Sequence, residues 1–386
     1  MLDAIRPVLA IVCLGLTAFG CIYALAAARA VRRFGSARAA VATTFPGVTV
    51  LKPLYGAETG LYDNLASFRD QDYPGPVQLL FGVRDADDPA VAVVDRLAGE
   101  RPHKDIRLLV TAGSRAPNPK IANLSGMQDH IRHDVVIFAD SDVVVERDYL
   151  VRTIAALDQP DVGLVTCLYR GAPRHGVWSR LASMAIDYHF LPSVLIGLAL
   201  GIARPCFGAT IALRHQTLAA IGGFDAFADQ LADDYAIGNA VRARGMRVAI
   251  PPFIVTHTCQ AQTIAELWRH ELRWARTLRA VAPSGYAGLV ITHALPFAIL
   301  GAWASASGVL GASAVAAALG CRLVLQSQVD HTLRVSPNRW WLGPARDLLA
   351  FAVHVVSFLV STVSWRGHHY KVRSDGTLIP IEETKG

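Results

Sequence analysis

Val135-Val136-Ile137-Phe138-Ala139-Asp140-Ser141-Asp142 is the stretch on which the fold turns. The apolar run 135–139 shows no alternation, which predicts a short strand buried on both faces. Strands of that kind belong to a parallel sheet covered by helices, and ligands of such sheets sit beyond the carboxyl ends of the strands. Asp140 and Asp142 stand at that end. Carboxylates one residue apart can hold a hard divalent cation, Mg²⁺ or Mn²⁺, and the cation can bridge to a diphosphate. An isolated Asp-x-Asp is as often a solvated loop or a helix cap, so its neighbourhood decides its meaning.

The residues on the amino-terminal side supply that neighbourhood. Val48 to Leu51 predicts a strand stopped by Pro53, 60–69 a helix, Val77 to Val83 a strand, 89–97 a helix, Ile106 to Val110 a strand and 121–130 a helix. Apolar strands separated by helices predict an α/β domain with a mainly parallel sheet. Asp85 follows the second strand directly, where a carboxylate can accept from a uracil N–H or a ribose hydroxyl. Asp88 precedes Pro89 and reads as a helix cap. Farther on, Asp233-Asp234 offers a buried carboxylate able to take a proton from an attacking hydroxyl, or else a pair of acids suited to a helix N-terminus. In His270-Glu271-Leu272-Arg273-Trp274, Arg273 can clamp a phosphate and Trp274 can stack on a sugar ring. An amphipathic helix at a membrane surface would carry the same residues.

The chain has 386 residues, of which 52% are hydrophobic and only 18% charged. Charge is absent from 7–28, 280–321 and 348–365, whereas 50–279 has the composition of a globular domain. Residues 7–28 suit one membrane helix. Ala26-Ala27-Ala28 resembles a signal cleavage site, but Arg29, Arg32, Arg33 and Arg38 favour an anchor whose following chain is cytosolic. The 280–321 run predicts a helical hairpin turning between Gly301 and Gly311, and 342–364 a further membrane segment. The apolar segment 188–203 is short for a span and reads as a core or interfacial helix. The net charge of +6 is therefore membrane-surface chemistry. Nucleic-acid binding is excluded by the lack of an aromatic-interleaved basic stripe. Cysteines at 13, 21, 167, 206, 259 and 321 form no CxxC pair and read as reduced thiols.

Order and spacing together are more specific than any one motif. Lys52-Pro53-Leu54 with Glu58, Asn64-Leu65 through Tyr73-Pro74, Asp85, Asn118-Pro119-Lys120 with Asn123, Asp140 and Asp142, Asp234, and His270 with Arg273-Trp274 fall in the order of known motifs. The chain resembles GT-A glycosyltransferases of the family-2-like class, and most closely the family-21 branch of ceramide glucosyltransferases and hopanoid-associated glycosyltransferases. The resemblance covers about residues 46–285. It implies nucleotide-sugar contacts at Lys52, Glu58, Asp85, Lys120, Asn123 and Asp140, metal ligation by Asp140 and Asp142, and a catalytic base at Asp234. Asp233 stands where relatives often have Glu. It further implies acceptor or diphosphate contacts at Asp233, His270, Arg273 and Trp274, His270 departing from the usual Gln or Arg of a (Q/R)xxRW motif.

The expected architecture is a membrane anchor over 1–40, a GT-A domain with interfacial helices over 41–279, membrane helices over 280–365 and a tail over 366–386. The expected activity is inverting, metal-dependent transfer from a UDP-sugar, UDP-GlcNAc or UDP-glucose, to a membrane lipid hydroxyl at the inner face of the plasma membrane. The stretches around Tyr169-Arg170-Gly171 and Ala182 to Phe190 look like the hopanoid-associated members, which points to a bacteriohopanetetrol-type acceptor. The alternatives are a ceramide acceptor and, more distantly, a non-catalytic binding module.

Overall fold

The structure is a computed structural model that describes residues 2–111, 116–305, 307–335, 340–359, 362–365, 368–372 and 378–380. The chain divides into two compact units. One is formed by 38–174, 205–260 and 368–386, the other by 1–37, 175–204 and 261–367.

The first unit is built on a seven-stranded sheet. Its strands, with those of a smaller sheet, are β1 (Val48–Pro53), β2 (Val77–Val83), β3 (Asp105–Val110), β4 (Val135–Phe138), β5 (Val143–Val144), β6 (Val162–Thr166), β7 (Leu168–Pro173), β8 (Ile211–Arg214), β9 (Arg247–Ala249) and β10 (Ile254–Cys259). The main order is β3-β2-β1-β4-β8-β6-β9. The half from β3 to β4 is parallel, as the continuous apolar runs predict. β8 runs antiparallel to both β4 and β6, so the sheet is mixed. Every residue of β4 is buried, and helices on the sheet add Ile121, Leu124, Met127, Ile237 and Val241 to one core. Burial on both faces is what selects this uninterrupted Val-Val-Ile-Phe run.

In the smaller sheet β10 pairs antiparallel with β5 and parallel with β7. His257 lies opposite Val143 in that ladder, so β10 is brought beside the residue just before β5, Asp142. Asn123 ties the ends of three main-sheet strands together from the helix Pro119–Gln128. Its amide donates to the carbonyls of Gly82 (2.8 Å) and Leu54 (3.5 Å), and its carbonyl accepts from Thr111 (3.1 Å).

The second unit is helical. The first helix runs Leu2–Gly35, seven residues past the uncharged stretch, so Arg29, Arg32 and Arg33 form its last turns. It packs along Gly308–Leu333 and Ala294–Ala304. Small residues allow this close approach: a Cβ on Gly20 would meet Ala294 at 2.7 Å, and one on Gly301 would meet Leu14 at 3.1 Å. Among the described residues four helices are long and apolar enough to cross a membrane, or five if a bent pair is one span. The break between the helices Ala294–Ala304 and Gly308–Leu333 falls inside the predicted interval, but the first arm is bent by 58° near His293 and the second continues through Arg322 to Leu333.

The segment read as a short apolar helix at 188–203 is the second half of a longer helix, Gly176–Ala199, which contains a π-turn at Ile186–Phe190. Arg180, Asp187 and His189 break the uncharged pattern and hide its length. This helix and the start of Ile264–Val281, placed above with the catalytic domain, group with the membrane-type helices. In the tail, 368–372 and 378–380 pair antiparallel; its remaining residues lie outside the described residues.

Candidate functional site

The carboxyl end of β4 carries Asp140, and its surroundings converge on Lys120. Lys120 opens the helix Pro119–Gln128, whose start is fixed by Asn118: the Asn118 side chain accepts from the Lys120 and Ile121 amides, with Pro119 at the first helical position. From there the Lys120 ammonium lies 2.7 Å from Asp140 Oδ1 and 3.4 Å from Asp233 Oδ2. Burial acts to lower this ammonium, but Asp140, Asp233 and Asp234 outweigh it and hold it above the ordinary lysine value. A single cation thus spans the residues after β4 and the start of the helix Asp233–Ala243.

Lys52 lies fully buried at the end of β1. It donates to the Asp140 carbonyl (2.6 Å) and stacks over Phe68 at 3.7 Å. Burial pushes its ammonium down to about 7, against the opposing charges of Asp142 and Asp140. Lys52 therefore fixes the backbone of the Asp140 turn.

Asp142 is held through its main chain, since its carbonyl accepts from the Thr258 amide (2.8 Å) and hydroxyl (3.0 Å). Its carboxylate remains 31% exposed and faces His257 Nδ1 at 3.6 Å. Burial raises this carboxyl above the usual range; His257 acts to lower it, and the Asp140 charge raises it further. Mutual repulsion of that kind is relieved by a bound cation. Among the described residues no set of three or more His, Cys, Asp or Glu is gathered around one point. A Mg²⁺ or Mn²⁺ here would take ligands from the Asp pair and the rest from phosphate oxygens and water, the usual habit of a hard octahedral ion.

Asp234 sits one residue into its helix. Oδ1 accepts from the Tyr235 amide (2.7 Å) and Oδ2 from the Gly208 amide (2.8 Å). Burial pushes its carboxyl up to about 7, the Asp233 charge adds to this, and Lys120 and the Tyr235 and Gly208 amides pull the other way. A carboxylate poised near neutrality is suited to general-base work. Asp233 is turned inward instead, toward Lys120 and the Asn118 amide (3.3 Å).

Glu58 is linked to Gln260 (2.9 Å). Asp85 is exposed just after β2 and accepts from the Asp87 amide, with Oδ1 the acceptor at 3.0 Å. Asp88 caps the next helix through the Ala90 amide (2.8 Å) and also holds Gly56. The buried side chain of Asn123 is engaged by the strand ends described above. Among these residues, Asp140, Asp142, Lys120, Asp233 and Asp234 form the acidic centre.

His270, Arg273 and Trp274 lie in the helical unit on the helix Ile264–Val281, at i, i+3 and i+4 on one face. The helix begins with the Thr263 hydroxyl accepting from the Glu266 amide, an N-cap, while the Glu266 carboxylate accepts from the amide of Gln262, the residue before the cap. The rings of His270 and Trp274 are 4.6 Å apart. Between them, Glu271 forms a buried bidentate pair with Arg346.

The sequence singles out no role for His257 and offers Gly208 only as the end of Pro205 to Gly208, a stretch that resembles the one preceding an acceptor site. Gly208 accepts from the Asp140 amide (3.3 Å) through its carbonyl and donates from its own amide to the Asp234 carboxylate, linking the backbone of the Asp140 turn to Asp234 through one residue. A Cβ there would lie 2.8 Å from Lys120 Nζ and 2.9 Å from Asp140 Oδ2. Its place after Cys206-Phe207 gave no signal of this. His257 reaches Asp142 through a cross-strand pairing that no local pattern reveals.

The fold and the chain were compared with known proteins. Ceramide glucosyltransferase 1 of Caenorhabditis elegans is 23% identical over 350 residues, spanning 87% of this chain and 73% of the relative. A ceramide glucosyltransferase of Komagataella phaffii is 32% identical over 117 residues, 29% of this chain and 23% of that one. A solved mannosyltransferase of Pyrobaculum calidifontis, in complex with GDP-Man and Mn²⁺, superposes with a TM-score of 0.51 at 22% identity, covering 92% of this chain and 99% of the other. The architecture is that of the GT-A glycosyltransferases. The sequence matches the description of glycosyl transferase family 21 over residues 12–378, and the chain belongs to that family of enzymes.

Proposed function

We propose that the protein transfers a sugar from a UDP-sugar to the hydroxyl of a membrane lipid, with inversion at the anomeric carbon and dependence on a divalent metal. The observation that carries this reading is the acidic centre: Lys120 paired with Asp140 and Asp233, the metal-type pair Asp140 and Asp142, and Asp234, whose carboxyl is pushed up to about 7 and which Gly208 links to the Asp140 backbone.

Asp85, exposed after β2, is the candidate contact for the nucleoside. Lys120 is placed to move from its carboxylate partners to the diphosphate. A bound Mg²⁺ or Mn²⁺ supplies compensation for the negative charge that grows on the leaving UDP. Asp234 accepts the proton of the acceptor hydroxyl as its oxygen bonds to the anomeric carbon and the bond to the diphosphate breaks. One displacement inverts that centre, so an α-linked donor gives a β-glycoside. Arg273 and Trp274, on their own helix face, are the candidate contacts for the diphosphate or acceptor, with His270 beside them.

Relatives that match along most of this chain are named ceramide glucosyltransferases, so we favour a ceramide-type acceptor and UDP-glucose over the hopanoid acceptor with UDP-GlcNAc. Arg29, Arg32 and Arg33 at the end of the first helix support a sheet unit on the cytosolic side of the plasma membrane. The test is incubation of the purified protein with Mg²⁺, UDP-glucose or UDP-GlcNAc, and ceramide or bacteriohopanetetrol, with mass spectrometry of the lipid. Glucosylceramide is the expected product. The Asp234→Asn variant should lose about 10³-fold in kcat and still bind donor; unimpaired turnover would remove Asp234 from its role.

A further inference from the structure

The helical unit holds ionisable side chains that the chemistry above does not use. Arg322, midway along the apolar helix Gly308–Leu333, donates from Nε (2.8 Å) and Nη2 (2.5 Å) to Asp347 Oδ1. The same guanidinium contacts the His189 ring and donates to the Tyr188 carbonyl (3.2 Å). One helical turn on is Gln326, and another on is Asp330, whose Oδ1 accepts from the Tyr188 hydroxyl at 2.7 Å. Ionisable groups inside membrane-type helices are costly, and they mark sites more often than they stabilise folds. Tyr188 and His189 are delivered to these partners by the π-turn at Ile186–Phe190, a distortion that recurs at functional positions.

Of these groups Tyr188, Gln326 and Asp330 border a cavity of about 470 Å³ whose walls also include Leu323, Ser327, His331 and Trp340. A second, more open depression adjoins it along Leu323, Val324 and Ser327 on the outer face of the same helix. The first cavity falls within the size range of small-molecule sites. Its apolar lining includes Leu323 and Val335, and its polar lining offers the Asp330 carboxylate, the Gln326 amide, the Ser327 hydroxyl and the His331 imidazole. It lies where the apolar helix turns polar, just before Arg334, with Trp340 and Trp341 exposed close by in the chain. Exposed tryptophans at such a transition belong at the level of lipid headgroups.

We propose that this cavity binds the polar backbone of a neutral, hydroxyl-bearing membrane lipid, whose chain runs out along Leu323 and Val324. Asp330 is the chief recognition group: an ionised carboxylate accepts several hydrogen bonds, and Tyr188 supplies one of them. The same carboxylate disfavours phosphate-bearing lipids and the nucleotide donor. The cluster of Arg322, Asp347 and His189 holds the Tyr188 backbone behind the wall. On the proposed lipid glycosylation, which this inference takes as given, the occupant is the acceptor.

The test uses full-length protein in nanodiscs with UDP-glucose and a short-chain fluorescent ceramide. Asp330→Asn removes the carboxylate charge, and Ser327→Trp fills the cavity. Both should raise the acceptor KM by about tenfold while kcat at saturating acceptor, and UDP release without acceptor, stay within about twofold. An acceptor KM within about twofold of wild type in both variants would overturn the proposal. Should the variants fold poorly, the wild-type protein is irradiated with a diazirine-bearing ceramide and the modified peptides are mapped. Label on 323–335 or 184–188 supports the site, and label confined to other helices overturns it. Failure of the glycosylation reading shows separately, as a wild-type protein that neither releases UDP nor forms product whatever the labelling pattern.

Discussion

The acidic centre of the sheet unit and the charged cluster of the helical unit use the same residue types in opposite ways. Around β4, Asp140, Asp142, Asp233 and Asp234 share Lys120, which touches only Asp140 and Asp233. Lys52 gives its ammonium to a backbone carbonyl. Burial pushes the Asp142 and Asp234 carboxyls upward, and surplus negative charge adds to it, from Asp140 on the first and from Asp233 on the second. In the helical unit each acid of the pairs Arg322–Asp347 and Arg346–Glu271 meets a guanidinium at hydrogen-bond range. Surplus charge invites a ligand cation and a transferable proton, whereas balanced charge ties one helix to another.

Removing charge from the surplus side should therefore remove chemistry and leave the fold. Asp142→Asn is expected to lower kcat by about 10³-fold and to weaken the Mn²⁺ dependence, and EDTA should abolish wild-type turnover reversibly. The melting temperature of Asp142→Asn should not fall, because relief of repulsion with Asp140 offsets the loss of the His257 contact. A variant that melts early, or that keeps its full metal response, would mean that this pair is structural.

The opposite outcome is expected where charge is balanced. Arg322→Met leaves Asp347 buried without its guanidinium and should destabilise the protein by about 3 kcal/mol, seen as early unfolding in detergent. Adding Asp347→Leu should recover most of the loss, since a buried pair replaced as a whole by apolar residues is nearly neutral. If the double variant stays as unstable as the single one, the cluster is held by more than its own pairing.

These contrasts also explain what could be read from the sequence. β4 was legible because an unbroken Val-Val-Ile-Phe run has no explanation other than burial, and β1 and β2, mostly apolar and buried, followed, whereas β3 carries Arg107 and no buried residue and was marked only by its Ile, Leu and Val. Asp234 was found by its order in the chain, yet its tuning depends on Asp233 at one side and on Gly208, 26 residues away. The antiparallel β8 and the small sheet that brings His257 to Asp142 arise from long-range pairing, which leaves no local trace. In the helical unit, hydropathy located the hairpin turn but cut the helices wherever a charge intervened. Asp187 and Arg322 stood as segment ends on that scale, while the structure carries both helices through them and uses Arg322 as an interior tie with His189 and Asp347.

Gly208→Ala probes the single residue that links the Asp140 backbone to Asp234. The new Cβ would press on Lys120 Nζ and Asp140 Oδ2, both ends of movable side chains, so the fold should survive. Displacement of that pair by a few tenths of an ångström should cost about tenfold in kcat with donor affinity little changed. Wild-type kinetics would show that Lys120 and Asp140 are free to part during turnover.

The smallest effect is the most discriminating one. Asp234 works as a base only when ionised, so activity should rise with pH through its value of about 7 and level off above it. The charge on Asp233 is, after burial, the largest cause of that raised value. Asp233→Asn keeps the side chain's shape and its acceptor for the Asn118 amide but removes the charge. Ionisation of Asp234 then becomes easier, so the acid limb should move down by about 0.5 to 1 pH unit. At pH 6 the variant would retain a larger share of its own plateau rate than the wild type, even if that plateau is lower. Raised salt should change this shift little, because the two carboxylates interact in a largely buried setting. A limb that stays in place when Asp233 is neutral would assign the titration to another group of the acidic centre, and with it the proton transfer.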